Sequence, residues 1–390
     1  MIQRDIHTKV QELSKTYPVV TITGPRQAGK TTLAKMAFPG FNYCNLEHPE
    51  TRTIALEDPK SFFMQFPAPV IIDEIQRAPQ LLSYIQVIAD EQKTNGLFIL
   101  TGSQQLLLNA SVSQSLAGRT ALVTLLPFSI NEVKQFYKGD LLRDQCIVNG
   151  FLPRIYDQDQ EPLIAYRNYL HTYVERDVRQ LINLKDLYTF EKMLKLLAGR
   201  IGQLININSL ANDTGVSAKT ISHWLSVLEA SYIVFRLQPF YENFGKRVIK
   251  SSKIYFYETG LASYLLGIEN EKQVARDPLL GGLFENMVVI ECVKSRTNIA
   301  LDPNLYFYRD SHHNEVDLIH KQGDRLIPIE IKASQTYNPH FLKSLVRFRS
   351  ISNNAEPGYV IYAGNQSFIT KEEIKVIGYE KAMELIANPG

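Results

Sequence analysis

The sequence predicts an α/β protein whose N-terminal part is a three-layer domain, a parallel sheet covered by helices on both faces. Three observations point there. The runs VVTIT (19–23), APVIIDEI (68–75) and LFILTGS (97–103) are largely apolar and read as strands buried on both faces. Helix-patterned segments, TTLAKMAF and LLSYIQVIADEQK, alternate with them in the order of strand–helix–strand units. A glycine-containing loop, GPRQAGKT (24–31), joins the first strand directly to the first of these helices.

Taken in order, residues 2–16 read as a short amphipathic helix, followed by the first strand, the loop and its helix, and a strand at NYCNL (42–46). The pattern changes around Pro127. From about 129 to 205 it is helical and includes the charged stretch YRNYLHTYVERDVRQLINL (166–184). Within it VERDVRQ (174–180) reads as a solvated, salt-bridged helix face. Residues 206–255 read as two short helices and a Tyr- and Lys-rich hairpin-like segment. The last unit mixes a helix (LLGGLFENMVVIECVKSR), the strands LYFYR, EVDLIHK and LIPIEIKAS, and the helix HFLKSLVRFRSI. The expected domains are therefore 1–130, 131–205, 206–275 and 276–390.

Of 390 residues 45% are hydrophobic and 21% charged, the balance of a folded chain with more than one core. A formal net charge of +2 excludes a molecule that is basic overall, so any nucleic-acid surface must be a local patch. Cys44, Cys146 and Cys292 lie far apart without metal-ligand spacing and fit a reducing cytosol. The polar start lacks a signal-peptide core, and no apolar run reaches the ~18 residues of a membrane span. The expectation is a cytoplasmic protein.

The loop carries the clearest chemistry. GPRQAGKT matches G-x-x-x-x-G-K-[ST] in the strand–loop–helix context the motif requires. Gly24 and Gly29 let the backbone N–H groups of Pro25–Thr32 (Arg26, Gln27, Ala28 among them; proline has none) approach phosphate oxygens. Lys30 reaches the β- and γ-phosphates, and Thr31 ligates Mg²⁺. In VIIDE (70–74) a strand delivers Asp73 to the Mg²⁺ shell, and Glu74 polarises the attacking water. The strand ending in LTGS brings Ser103, or Thr101, toward the γ-phosphate as a polar sensor. Arg119 either stabilises phosphoryl charge, in its own chain or in a neighbour, or makes a surface salt bridge.

Two further regions bear on partners. INSLANDTGVSAKTISHWLSVLEASYIVFRLQPF (207–240) reads as a helix, a turn at Thr214-Gly215-Val216, and a second helix capped by Ser217. Ile221, Trp224, Leu225 and Leu228 share its inner face, while Lys219, Thr220, Ser222 and His223 point out, the pattern of a helix-turn-helix. Arg236, Lys246, Arg247, Lys250 and Lys253, with Tyr241, Phe244 and Tyr255 interleaved, form a patch suited to DNA phosphates. In the tail, Glu330 and Lys332 share one strand face, Asp317 lies across the ladder and Glu285 precedes them on a helix. Three carboxylates and a lysine in that order suit a second Mg²⁺-type site with Asp317 and Glu330 as ligands. His312 and His313 read as solvated loop residues.

GPRQAGKTTL, VIIDEIQ, LTGSQQ, SLAGR, VNGFLPR, YVERDV, KRVIKSSKIYFYETGL and GGLFENMVVIE, with EVDLI and IPIEIKAS, occur in one order from about residue 2 to 380. In this the chain resembles the prokaryotic AAA-type ATPases with a C-terminal domain of unknown function, and the tail is similar to the PD-(D/E)XK nuclease superfamily. The resemblance implies a P-loop NTPase (AAA-like) core, a helical and winged-helix region, and a restriction-endonuclease-like α/β tail. It implies Walker A roles for Lys30 and Thr31, Walker B roles for Asp73 and Glu74, a sensor at Ser103 and the LAGR arginine at Arg119. Glu285, Asp317, Glu330 and Lys332 match the nuclease-like tetrad, while Glu258 stands where many relatives carry Asp. The resulting expectation is a Mg²⁺-dependent ATPase coupled to DNA binding or processing, with homo-oligomerisation left open by Arg119. The alternatives are a nucleotide-dependent switch with a non-cleaving tail, and an ATP-regulated nuclease.

Overall fold

The computed structural model describes residues 2–103, 115–137, 139, 141–174, 186–240 and 251–386; the side chains of 173 and 174 are not described. The chain forms two compact units. The first comprises Met1–Phe128 with Ala230–Tyr232 and Thr297–Leu301, the second Ser129–Glu229, Ile233–Arg296 and Asp302–Gly390.

In the first unit β1 (Val19–Thr23), β2 (Asn42–Asn45), β3 (Val70–Asp73), β4 (Phe98–Thr101) and β5 (Thr120–Thr124) make one sheet in the order β2-β3-β4-β1-β5. Every recorded pairing is parallel. Successive residues point to opposite faces, and both faces are apolar. Val19, Val70, Ile72, Phe98 and Leu100 pack with Phe62, Leu81, Leu82 and Ile85 on one side. Val20, Ile22, Ile71, Ile99, Ala121 and Val123 pack with Val10, Leu33 and Ala34 on the other. This is the three-layer α/β arrangement that the sequence predicts. The sequence reading omitted the helices Pro49–Glu57 and Pro59–Gln65 and the edge strand β5.

In the second unit the helices Ile207–Thr214 and Ala218–Ala230 flank a turn at Gly215, whose φ of 81° favours glycine. Ser217 Oγ accepts from the Thr220 N–H at 3.1 Å, capping the second helix as expected. Ile221, Trp224, Leu225 and Leu228 are buried, and Lys219, Ser222 and His223 are exposed. β6 (Val234–Pro239) and β7 (Lys253–Phe256) follow as an antiparallel pair. They extend a sheet containing β8 (Leu305–Arg309), β9 (Glu315–Gln322), β10 (Arg325–Lys332), β11 (Tyr359–Tyr362), β12 (Phe368–Ile369) and β13 (Lys375–Gly378). The order is β12-β13-β11-β10-β9-β8-β6-β7, so the hairpin after the helix pair and the C-terminal strands share one sheet. Leu345 and Phe348 of the helix Lys343–Arg349 cover one face through Tyr308, Val316, Leu326 and Val360. Among the described residues no helix is long and apolar enough to cross a membrane.

Candidate nucleotide site and C-terminal carboxylate cluster

The loop leaves β1 at Gly24, whose φ of 139° and packing both demand glycine: a Cβ there would collide with the Leu125 carbonyl oxygen. Gln27 (φ 60°) and Gly29 (φ 89°) turn the chain into the helix Lys30–Ala37, which leaves the first backbone N–H groups of that helix at the loop. Lys30 is buried, and its ammonium donates to the Gly24 and Pro25 carbonyls at 3.0 and 2.7 Å.

β4 lies between β1 and β3, so the ends of all three strands converge on this loop. Thr31 Oγ1 donates to both Asp73 carboxylate oxygens, at 3.0 and 2.9 Å. Thr101 Oγ1 also donates to Asp73, and the Tyr43 hydroxyl donates to Asp73 Oδ2 at 3.1 Å. Glu74 is held in the left-handed region (φ 58°), a backbone state that non-glycine residues adopt at a cost and that clusters at functional sites. Its carboxylate accepts from Gln76 Nε2 and from Ser103 Oγ at 3.4 Å. Burial raises the Glu74 pKa, while Lys30 and Arg26 pull it down. Burial, with Asp73 and its hydrogen bond, keeps the Tyr43 phenol protonated, and burial pushes the neighbouring Cys44 thiol up to about 12.

The structure thus brings Lys30, Thr31, Asp73, Glu74, Thr101 and Ser103 together, but not Arg119. That residue precedes β5, in register with the start of β1, whereas the loop follows the end of β1. Five strand residues separate them, about 16 Å at ~3.3 Å per residue. Arg119 instead forms an exposed bidentate pair with Asp90 at 2.6 and 2.8 Å. This is the surface salt bridge that the sequence leaves open as the alternative for Arg119.

Sequence reasoning missed Arg4. Its buried guanidinium donates to the Ala28 carbonyl at 2.6 Å and the Leu126 carbonyl at 2.7 Å, and lies 4.9 Å from the Phe128 ring centroid. It ties the loop to the segment that follows β5. Tyr43 was missed as well. It shares a strand face with Asn45, the register partner of Asp73, a relation that only sheet pairing reveals.

In the second unit Asp317 accepts from Lys332 Nζ at 3.4 Å and from the Ile331 N–H at 2.8 Å. Glu330 accepts from Lys332 and from Ser344 Oγ, the latter at 2.6 Å. Glu285, on the helix Leu280–Thr297, meets a lysine that sequence reasoning had assigned elsewhere. Lys253 Nζ donates to Glu285 Oε1 at 2.9 Å and pairs with Glu315 Oε1 at 2.6 Å, and the Tyr255 hydroxyl donates to the same Glu285 oxygen at 2.5 Å. Burial lowers the Lys253 pKa, but Tyr255 and the carboxylates overcome it and lift it well above the ordinary lysine value. Burial pushes Glu285 and Glu330 up to about 7, Asp317 adding to both and the lysines opposing. Among the described residues no three His, Cys, Asp or Glu side chains are grouped to hold a metal ion.

The expected basic patch is correspondingly smaller. Lys253 is buried, and Arg236 is engaged by Glu229 through two hydrogen bonds of 2.8 and 2.7 Å. Tyr241, Phe244, Lys246, Arg247 and Lys250 lie outside the described residues, as does most of VERDVRQ. His313 Nδ1 is 3.0 Å from Arg309 Nη2 on an exposed loop. Glu258 accepts from the Phe151 N–H and the Tyr166 hydroxyl, both at 2.8 Å, and caps the helix Thr259–Leu265.

A family profile described as an AAA domain matches residues 16–134, which contain the loop, β3 and β4. Two domains of unknown function, DUF8612 and DUF4143, match residues 140–272 and 280–382. The chain is 31% identical over 380 residues to an uncharacterized protein of Mycobacterium tuberculosis, covering 96% of this chain and 83% of that one. It is 23% identical over 294 residues to an uncharacterized protein of Haemophilus influenzae, covering 72% and 69%. Among solved structures it is similar to the Walker-type ATPase of Pyrococcus abyssi, with a TM-score of 0.45 and 15% identity over 68% of this chain and 96% of the other.

Proposed function

We propose, for a chain that belongs to the same protein family as its mycobacterial relative and carries an AAA domain, that it binds ATP at residues 24–31 and hydrolyses it to ADP and phosphate. The observation that carries this reading is the Thr31–Asp73 contact beside the loop, with Glu74 adjacent. A hydroxyl and a carboxylate, two hard oxygen donors, fit Mg²⁺, which when bound supplies positive charge to the phosphate oxygens. Lys30 exchanges its two loop carbonyls for phosphate oxygens and neutralises charge there. Glu74, oriented by Gln76 and Ser103, takes the proton of the attacking water. Lys30→Ala is expected to lower ATP turnover by about 100-fold or more. Phosphate release that is unchanged in Lys30→Ala sinks the proposal.

The finer reading couples hydrolysis to nucleic acid through the helix pair, whose exposed Lys219, Ser222 and His223 lie on the outward face of the second helix. DNA-stimulated, salt-sensitive hydrolysis supports it; turnover that DNA leaves unchanged, without salt-sensitive binding, counts against it. A second reading is a nucleotide-dependent switch whose nuclease-like tail binds without cleaving. The pairing of Lys253, a lysine outside the nuclease-like tetrad, with Glu285 and Glu315 favours it over an ATP-regulated nuclease. Slow turnover with retained ADP and no cleavage in any divalent ion is its expected signature.

A further inference from the structure

The carboxylates that a nuclease-like tail offers to a divalent ion are taken up by side chains of the same unit. Glu285 and Glu315 arrive from a helix and from β9, and both meet the Lys253 ammonium, at 2.9 and 2.6 Å. Tyr255, two residues along β7, adds its hydroxyl to Glu285 at 2.5 Å. Arg309 holds the other Glu315 oxygen at 3.1 Å. Asp317 and Glu330 share Lys332, and each has a further donor, the Ile331 N–H and the Ser344 hydroxyl.

Mg²⁺ wants near-octahedral oxygen donors at about 2.1 Å. Gathering Glu285 onto such an ion requires the ammonium to withdraw. The Lys253 side chain is only 2% exposed and has the Phe307 ring centroid 5.6 Å from its Nζ, so withdrawal leaves a buried charge without its acids. While Lys253 is in place, Glu285 and Glu315 are not free to join Asp317 and Glu330 on a divalent ion.

We propose that Lys253 is the resident cation of this cluster, a tethered ammonium that holds Glu285 and Glu315 and excludes a divalent ion, so that the tail does not cleave nucleic acid. This rests on the nuclease-like reading of the tail and is independent of ATP hydrolysis. It also removes Lys253 from any phosphate-binding surface.

The test is Mn²⁺ binding followed by electron paramagnetic resonance, on nucleotide-free full-length protein carrying Asp73→Asn to remove the ion site of the loop. With Lys253 intact, no stoichiometric uptake is expected. Adding Lys253→Met is expected to create one site at least about tenfold tighter, lost again with Asp317→Asn. Uptake with Lys253 intact that Glu285→Gln or Asp317→Asn abolishes overturns the proposal, as does Mn²⁺-dependent DNA cleavage by the wild-type chain. A folded Lys253→Met variant that gains no Mn²⁺ also overturns it. Where Lys253→Met fails to fold, the Lys253-intact measurement decides alone. Phosphate release from ATP by the wild-type chain is read separately, so failure of the hydrolase reading leaves this outcome distinct.

Discussion

Arg4 shows how much of a phosphate-binding loop lies outside its motif. A long cation followed by helix-forming residues carries no local mark of a loop anchor, and its role exists only because the Ala28 and Leu126 carbonyls converge on it. Arg4→Ala leaves both carbonyls without that charged donor, and hydrogen bonds to charged groups contribute ~1.5–3 kcal/mol each. We expect a loss of about 3 kcal/mol in urea unfolding, with a raised KM for ATP from the loosened loop. A stability change without any effect on KM would limit Arg4 to packing. Arg119 gives the opposite case. Its partner is the exposed Asp90, whose acid is lowered chiefly by the hydrogen bond from Arg119. Arg119→Ala is therefore expected to leave single-chain turnover within about twofold, small beside the 10³–10⁵ of an arginine finger. A large loss that appears only at high protein concentration would identify a role in a neighbouring subunit.

At the level of elements, apolar strands and the loop were legible because each is written in consecutive residues. VVTIT, VIID and FILT became β1, β3 and β4 within a residue or two of where pattern placed them. The buried face of the helix Ala218–Ala230 was legible for the same reason. β5 was not, because Thr120, Leu122 and Thr124 alternate with Ala121 and Val123 as on an edge strand, and the segment looks like a loop beside the fully apolar runs. The carboxylate cluster was half legible. Glu330 and Lys332 follow from strand alternation, whereas Lys253 looks basic and exposed until β7 is placed beside the rest of its sheet. That cluster has a pH consequence. Glu285 and Glu330 rise from the usual 4.5 to about 7, chiefly through burial, so the folded chain holds protons that the unfolded chain has released. Their contribution to stability is therefore full below about 4.5 and falls as pH rises toward about 7. Glu330→Gln should flatten the slope of unfolding free energy between pH 5 and 7.5; an unchanged slope would remove Glu330 as its source.

For the whole molecule, the long segment of the first unit ends at Phe128. Sequence pattern shows only a change from alternating strands to helical periodicity around Pro127. It does not show that the unit also takes back Ala230–Tyr232 and Thr297–Leu301. The Tyr232 hydroxyl lies 3.0 Å from Thr23 Oγ1, a hydrogen bond between residues 209 apart at the last position before the loop. Ala300 packs against the core that contains Ile6, Val10 and Leu33. No local signal encodes contacts at that separation. A fragment ending at residue 128 therefore keeps every strand of the sheet but loses a hydroxyl partner at the end of β1 and part of one apolar face. Tyr232→Phe in the full chain should cost about 1 kcal/mol, the net value of one hydrogen bond, in the transition that nucleotide shifts. The 1–128 fragment should melt lower still and bind ATP more weakly, since it lacks both returning segments. If the fragment unfolds at the same midpoint as the nucleotide-sensitive transition of the full chain, the returning segments are not part of what holds the loop in shape.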